Sequence, residues 1–360
     1  MKISFFDDEP EIYPLQYGGK ARTITNLAKE FVKRPEVERV TILSKSIKSN
    51  EKEFFIDGIN YVLLDDSDII KRIAREMIET DILNIHCCSF TFPVIQGRAK
   101  KFYFLHDILI ATADKGSHLD KALGGQFNAI ISPSEFAKSI YENNKKIIDG
   151  KTECYVIPRH INEDIFYHVD KAIIEKDNKA PQLLKDIINK YRHIIFFPNR
   201  PIEEKGGKYL IKLSEELDKK FEDYCIIGPF EKSDNLPSNF INTGWIKSEE
   251  LKYYYSASNV TLNLSILPES FSQVCIESII CGTPVVSFKS GNIPNLNKLT
   301  NSIILVEKDV KSILSGINKS FAIKEDRIQT KQAQEIIRKE FDVKRITNMY
   351  MELYNKYLEE

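Results

Sequence analysis

Leu267-Pro268-Glu269-Ser270-Phe271-Ser272-Gln273-Val274-Cys275-Ile276-Glu277-Ser278-Ile279-Ile280-Cys281-Gly282-Thr283-Pro284-Val285-Val286 decides the fold. It reads as loop, helix, stop and strand. Ser270 is placed to cap a helix, and Gln273 three residues on completes a capping box. Val274, Ile276, Ile279 and Ile280 supply an apolar side, and Gly282 followed by Pro284 ends the helix. Val285–Phe288 is a short buried strand, and the apolar, β-branched run Asn259–Leu264 is another. A strand that leads through a loop into a helix N-terminus suits an anion. The N–H groups of Ser272, Gln273 and Val274 would point at it, with the helix dipole behind them. Glu269 and Glu277, with seven residues between them, flank that place. Carboxylates beside a phosphate are unfavourable unless they bind neutral hydroxyls, as a sugar or a ribose would offer. An ordinary βαβ unit with a capping serine and two exposed acids carries the same local pattern.

Upstream, Ile194–Phe197 is a strand that runs into Pro198-Asn199-Arg200, and Lys205 follows five residues after Arg200. Two cations across a strand end and the next helix start can clamp a diphosphate; isolated surface cations share that spacing. Tyr224–Gly228 is the next strand, turning at Pro229. Ile241–Ile246 then leads to a helix start at Ser248-Glu249-Glu250.

Glu-x7-Glu followed by Gly-x-Pro-Val-Val resembles the signature of the retaining family 4 glycosyltransferases, which have the GT-B fold. The resemblance implies that Glu269 holds hydroxyls of a donor sugar and that Glu277 binds the ribose. It gives Phe271, Ser272, Gln273 and Val274 the diphosphate, and Arg200 and Lys205 the leaving phosphate. Gly228 and the backbone near Trp245-Ile246 would complete the donor site, with Ile246 by the nucleobase. Four departures from the family pattern stand out. Serine stands at 270 and at 272, one or other of which is usually glycine, and Ser278 stands for Ala. Arg159-His160 stands for Asn-Gly, and Asn295 for Glu.

The first half alternates strands with helices. Lys2–Phe6, Val40–Leu43, Tyr61–Leu64, Ile82–His86, Lys101–Leu105 and Asn128–Ser132 read as strands, and 68–79 as a helix, which predicts a parallel doubly wound sheet. Gly18-Gly19 before a helix lets the backbone approach a ligand, and its place resembles the family's mobile glycine loop over the diphosphate. His106 ends a strand where ligands sit in such sheets. The resemblance gives it a donor-sugar contact; Asp107 beside it has no assigned role. Asp7-Asp8 is an acidic pair at the end of the first strand, too early in the chain for the metal-binding pair of the other major glycosyltransferase fold. Asp65-Asp66-Ser67-Asp68 reads as a helix cap, and Ser134 as the cap of the helix holding Lys138.

The fold class expected is α/β: a GT-B fold of two Rossmann-like, doubly wound parallel-sheet domains facing a central cleft and closing over the substrate. The expected boundaries are 1–166 for the acceptor-side domain, 167–192 for a linker with one short helix, and 193–342 for the nucleotide-sugar donor domain. A last helix, about 343–360, would return to the first domain. Its stripe of Ile346, Met349, Tyr350, Leu353 and Tyr357 is core packing.

Composition excludes several classes. Lys+Arg 51 against Asp+Glu 52 leaves a net charge of -1, so nothing marks a nucleic-acid binder. No apolar run is long enough to span a bilayer and no signal-peptide core opens the chain, so a cytoplasmic location is expected. Cys87, Cys88, Cys154, Cys225, Cys275 and Cys281 form no C-x-x-C pair and read as reduced, mostly buried thiols. No intact G-x-G-x-x-G follows the first strand, against a nicotinamide enzyme.

The expected function is therefore transfer, with retention, of a hexosyl or N-acetylhexosaminyl group from a UDP-sugar to a hydroxyl-bearing saccharide, lipid-linked or small-molecule acceptor. The resemblance implies no metal and no cofactor besides the nucleotide-sugar. Peripheral membrane attachment is left open, with no basic amphipathic helix to support it. A non-catalytic partner subunit, a sugar-nucleotide epimerase and a phosphorylase are the alternatives.

Overall fold

The computed structural model describes residues 1–10, 18–45, 52–64, 69–86, 97–106, 127–148, 152–221, 223–230 and 237–360. Asp107, Cys87, Cys88 and the 65–68 cap lie outside the described residues. The chain divides into two units, Met1–His160 with Val343–Glu360, and Ile161–Asp342.

In unit 1 the elements run β1 (Lys2–Pro10), α1 (Gly18–Val32), β2 (Arg39–Lys45), β3 (Lys52–Ile56), β4 (Ile59–Leu64), α2 (Ile69–Glu79), β5 (Ile82–His86), β6 (Lys100–Phe104), β7 (Ala129–Ser132), α3 (Glu135–Ile148) and β8 (Glu153–Val156). Among the described residues the strands form one sheet in the order β3-β4-β2-β1-β5-β6-β7-β8. Every pairing is parallel except β3 with β4. The all-parallel expectation misses β3 because its residues are exposed along its whole length and give no buried run.

Alternation splits the sheet's residues between two cores. Ile3 and Phe5 of β1 face α1, whose Ala21, Ile24, Leu27, Ala28 and Phe31 follow the helical period and are buried. Phe6, Leu43, Ile85 and Tyr103 face the other side. Ser134 caps α3, its Oγ accepting from Ala137 N–H (3.1 Å).

Unit 2 opens with α4 (Lys171–Lys176) and α5 (Gln182–Lys190). Both lie inside the span expected to be a linker with one helix. Ile174, Leu184 and Ile187 are buried in the unit's core, so the charged surface of this stretch conceals two packed helices. Then come β9 (His193–Phe196), α6 (Leu210–Leu217), β10 (Tyr224–Gly228), β11 (Phe240–Asn242), α7 (Ser248–Ala257), β12 (Val260–Asn263), α8 (Gln273–Ile280), β13 (Val285–Phe288), α9 (Ile293–Thr300), β14 (Ile303–Val306), α10 (Val310–Glu325) and α11 (Arg327–Phe341). The strands form a parallel sheet in the order β11-β10-β9-β12-β13-β14. Ser248 is the first residue of α7 and makes no side-chain cap.

The closing helix, α12 (Val343–Glu359), belongs to unit 1. Ile346, Tyr350, Leu353, Tyr354 and Tyr357 pack in the core that α1 shares. Tyr354 Oη donates to Asn84 Oδ1 on β5 (2.7 Å), which fixes the helix over the middle of the sheet.

Candidate active site

In each sheet the strand order reverses once, and loops leaving the carboxyl ends on either side of that point open a crevice. In unit 2 the reversal lies between β9 and β12, which pair through Val260↔Ile195 and Thr261↔Phe196. The loop after β9 carries Arg200 and Lys205; the loop after β12 carries Glu269. Gly206 makes them meet. It has φ +83°, and a Cβ there would lie 2.3 Å from the Leu264 carbonyl oxygen at the end of β12. Only glycine permits both that backbone and that approach. Lys205 Nζ consequently reaches Glu269 Oε1 at 2.9 Å and Ser265 Oγ at 3.3 Å, and Ser265 Oγ donates to the same carboxylate oxygen. Gly291 (φ +59°) seats the Glu269 backbone from the other side, with a would-be Cβ 2.2 Å from the Glu269 carbonyl oxygen. That carbonyl accepts from Asn292 N–H at 2.8 Å. Arg200, in the same loop as Lys205, is exposed and makes no ion pair among the described residues.

The helix α8 begins later than the capping box requires. Its N-cap is Ser272, at φ 78° and ψ 83°, in the left-handed region and with no side-chain cap bond. Ser270 therefore does not cap the helix. Ser272 Oγ turns inward, accepting from Asn263 Nδ2 (3.0 Å) and donating to Cys275 Sγ (3.2 Å). A left-handed serine is strained, and glycine would adopt the same backbone without cost. Phe271 is buried, its ring edge-on to Phe341, so only its backbone is available to a ligand. Gln273 and Val274 are half-buried in the first helical turn, whose N–H groups have no partner within the helix.

Glu277 is 1% exposed, and Tyr255 Oη donates to its Oε2 at 3.0 Å. This rules out the ordinary βαβ unit with two exposed acids: one carboxylate is enclosed, and the Glu269 side chain is 19% exposed in an ion pair. Enclosing a carboxylate costs several kcal/mol (roughly) before its hydrogen bonds compensate. Ser278 is equally built in. Its Oγ lies 2.8 Å from both the Thr283 carbonyl and Thr261 Oγ1, so it donates to the first and accepts from the second. Gly228 ends β10 against Phe197, 2.3 Å from a would-be Cβ, and its carbonyl accepts from Thr243 and Phe230 N–H. Ile246 packs on the core while Trp245 is exposed. Asn295 donates to Asn292 Oδ1 (3.2 Å), within its own helical turn.

In unit 1 the reversal lies between β1 and β5, whose last paired residues are Asp7 and His86. Gly18 and Gly19 form the first turn of α1; the expected glycine loop is helical there. Lys20 in that turn reaches Asp7 Oδ1 at 2.6 Å, with Asp7 fully buried, so the first of the Asp7-Asp8 pair is committed to a lysine. His106, just past β6, meets two nitrogen-bearing side chains through its ring nitrogens. Arg159 Nη2 lies 2.9 Å from its Nδ1, and His86 Nδ1 lies 2.7 Å from its Nε2. Burial, and after it the Arg159 charge, hold His106 well below the usual imidazole pKa; burial, then Lys20 and Arg159, do the same for His86.

Sequence reading missed Ser265, Tyr255, Asn263 and His86. Tyr255 sits in a helix buried on every side from Leu251 to Ala257, so no period distinguishes it from Tyr253 or Tyr254. The described cysteines, Cys154, Cys225, Cys275 and Cys281, are free and buried, as expected. Burial pushes the Cys225 and Cys275 thiols up to about 12, which leaves them poor nucleophiles.

Comparison with solved structures places these two sheets. Sucrose-phosphate synthase from Thermosynechococcus elongatus superposes with a TM-score of 0.75 at 14% identity, covering 99% of both chains. HepE from Anabaena, solved in complex with UDP-glucose, gives 0.74 at 17% identity over 99% of this chain and 100% of that one. Trehalose-6-phosphate synthase from E. coli, bound with UDP-2-fluoro glucose, gives 0.69 at 12% identity over 98% of both. The fold is GT-B. Residues 181–337, within unit 2 of this GT-B chain, match the family model for glycosyl transferases group 1. A search of curated proteins gives no match. The family match and the fold together support a glycosyltransferase of GT-B type. No helix among the described residues is long and apolar enough to cross a membrane.

Proposed function

We propose that the protein is a retaining, family 4-type glycosyltransferase that moves a hexosyl or N-acetylhexosaminyl group from a UDP-sugar to an acceptor hydroxyl. The observation that carries this reading is the Lys205–Glu269 contact at the sheet reversal of unit 2, beside the N-terminus of α8. It sets a cation and a carboxylate beside the backbone N–H groups of a helix start. A diphosphate carrying a sugar needs that combination.

In this reading Glu269 accepts hydrogen bonds from donor-sugar hydroxyls. Lys205, Arg200 and the backbone of Phe271–Val274 take the diphosphate without a metal. Glu277, held by Tyr255, binds the ribose, and Gly228 and Ile246 border the base. Gly18, Gly19 and His106 keep the donor contacts the resemblance gives them. The acceptor oxygen bonds to the anomeric carbon on the face that the diphosphate leaves. Its proton passes to the leaving phosphate oxygen, and UDP departs. Bond making and bond breaking on that one face give retention, and no protein nucleophile is assigned to the opposite face.

The test is acceptor-dependent release of UDP from a panel of UDP-sugars in the presence of chelator, with the product's anomeric configuration read by NMR. Release that needs acceptor and yields the donor's own configuration is the expected result. An inverted product contradicts retention, and dependence on inorganic phosphate makes the protein a phosphorylase.

A further inference from the structure

We infer that Arg159 is a positioning residue for His106: it holds the ring in the Nε2–H tautomer, so that His106 offers substrate an N–H donor and never a basic nitrogen. The substrate named here rests on the transferase reading above; the tautomer does not.

A guanidinium has donors only, so the 2.9 Å contact from Arg159 Nη2 makes His106 Nδ1 an acceptor. A neutral imidazole carries one proton, which must then sit on Nε2. The atom 2.7 Å from Nε2 is His86 Nδ1, which therefore accepts and leaves the His86 proton on its own Nε2. The chain Arg159, His106, His86 donates in one direction throughout. His86 is also fixed by packing: it stacks on Phe104 with centroids 5.1 Å apart.

Charge favours the same state. Among the described residues, Arg159 after β8, Lys20 on α1 and Asp7 on β1 are the ionisable groups beside the two rings, and Asp7 pairs with Lys20 at 2.6 Å. Arg159 and Lys20 face the pair, and the Asp7 carboxylate is matched by Lys20, so a further positive charge on either ring is opposed.

In the free protein the Nε2–H of His106 is occupied by His86. A sugar hydroxyl oxygen arriving at this sheet end can take the place of His86 Nδ1 as acceptor, with no change of protonation. A general-base role for His106 is excluded, because its lone pair is spent on Arg159. Arginine at 159, where glycosyltransferases of the resembling family carry Asn, gives this chain a tautomer lock built from its own sequence.

The experiment uses the full chain labelled with 15N-histidine. Ring nitrogen spectra are recorded from neutral pH downward, and the His106 signals are identified by their loss in His106→Gln. We expect one Nε2–H tautomer for His106 that does not protonate through the ordinary imidazole range. Arg159→Met should give mixed tautomers and a ring that titrates, and Arg159→Lys should recover part of the lock. In the transferase assay Arg159→Met should lower kcat by about tenfold, the worth of one hydrogen bond, with donor KM little changed. A His106 ring that is Nδ1–H or mixed in the wild type overturns the proposal, even if Arg159→Met fails to fold. So does an unchanged tautomer in a folded Arg159→Met. Absence of any transferase activity would sink the reaction reading and leave the ring spectra to decide the tautomer.

Discussion

Glu269 and Lys205 pair with each other at 2.9 Å, so in the proposed function a donor replaces that contact with its own. The ion pair is partly open to solvent and is worth under about 1 kcal/mol to folding. Its value lies in the reaction. Glu269→Ala should leave the melting temperature almost unchanged and cut turnover on the order of 10²–10³-fold, the usual loss for one preorganised contact to a developing charge. Steady-state kinetics on a folded variant checks this; wild-type turnover would remove Glu269 from the site. Gly206 predicts the opposite pattern. Gly206→Ala brings a Cβ to 2.3 Å from backbone and keeps a left-handed φ, which alone costs about 1–2 kcal/mol. Urea unfolding should show a loss of at least that size, with Lys205 displaced and activity falling along with stability.

Among elements, α8 was the most legible in the sequence and its start the least. The apolar run to Ile280 and the stop at Gly282 fixed the helix and its end. Two candidate serines and one glutamine could not fix its beginning, because the turn is decided by Asn263 and Cys275 drawing Ser272 inward. Ser272→Gly should therefore be tolerated: relief of a left-handed serine offsets two lost hydrogen bonds, leaving stability within about 1 kcal/mol of wild type. Ser272→Val should be strongly destabilised and inactive, since a β-branched residue resists that backbone. Thermal melts of the two variants distinguish these outcomes. The parallel strands were legible because strands covered on both faces leave apolar runs. β3 was not, because its apolar Phe54, Phe55 and Ile56 are exposed and no buried run marks it, and α4 and α5 were not, because charged residues surround their few buried ones. Long-range pairs left no spacing to read. Arg159 meets His106 across 53 residues and His86 meets His106 across 20, and only the sheet order brings them together.

At the scale of the whole molecule, charge is balanced between signs but the buried histidines are not balanced between units. His86 and His160, buried, and His106, half-buried, are three of the six, all lie in unit 1 and are held below the usual imidazole pKa, with His160 held down to about 3 by burial first and Arg159 second. Their folded pKa values lie below the unfolded value of about 6.5, so the unfolded chain binds more protons in acid. Their contribution to stability is complete above that pH and is lost as pH falls towards the folded values. In unit 2 His193, which is half-buried, is also lowered, by burial first. Acidification should loosen unit 1 first, and hydrogen exchange mapped onto peptides should show its protection lost before that of unit 2. Simultaneous loss would contradict this. The central claim concerns unit 2, that its sheet reversal is a metal-independent site for a UDP-sugar. Calorimetric titration with UDP in excess chelator tests it most directly, on wild type and on Lys205→Ala. The account predicts saturable binding in the wild type, weakened about tenfold or more by the substitution, as expected for loss of a charge-assisted contact. No binding of UDP by a folded wild-type chain, or binding indifferent to Lys205, would contradict it.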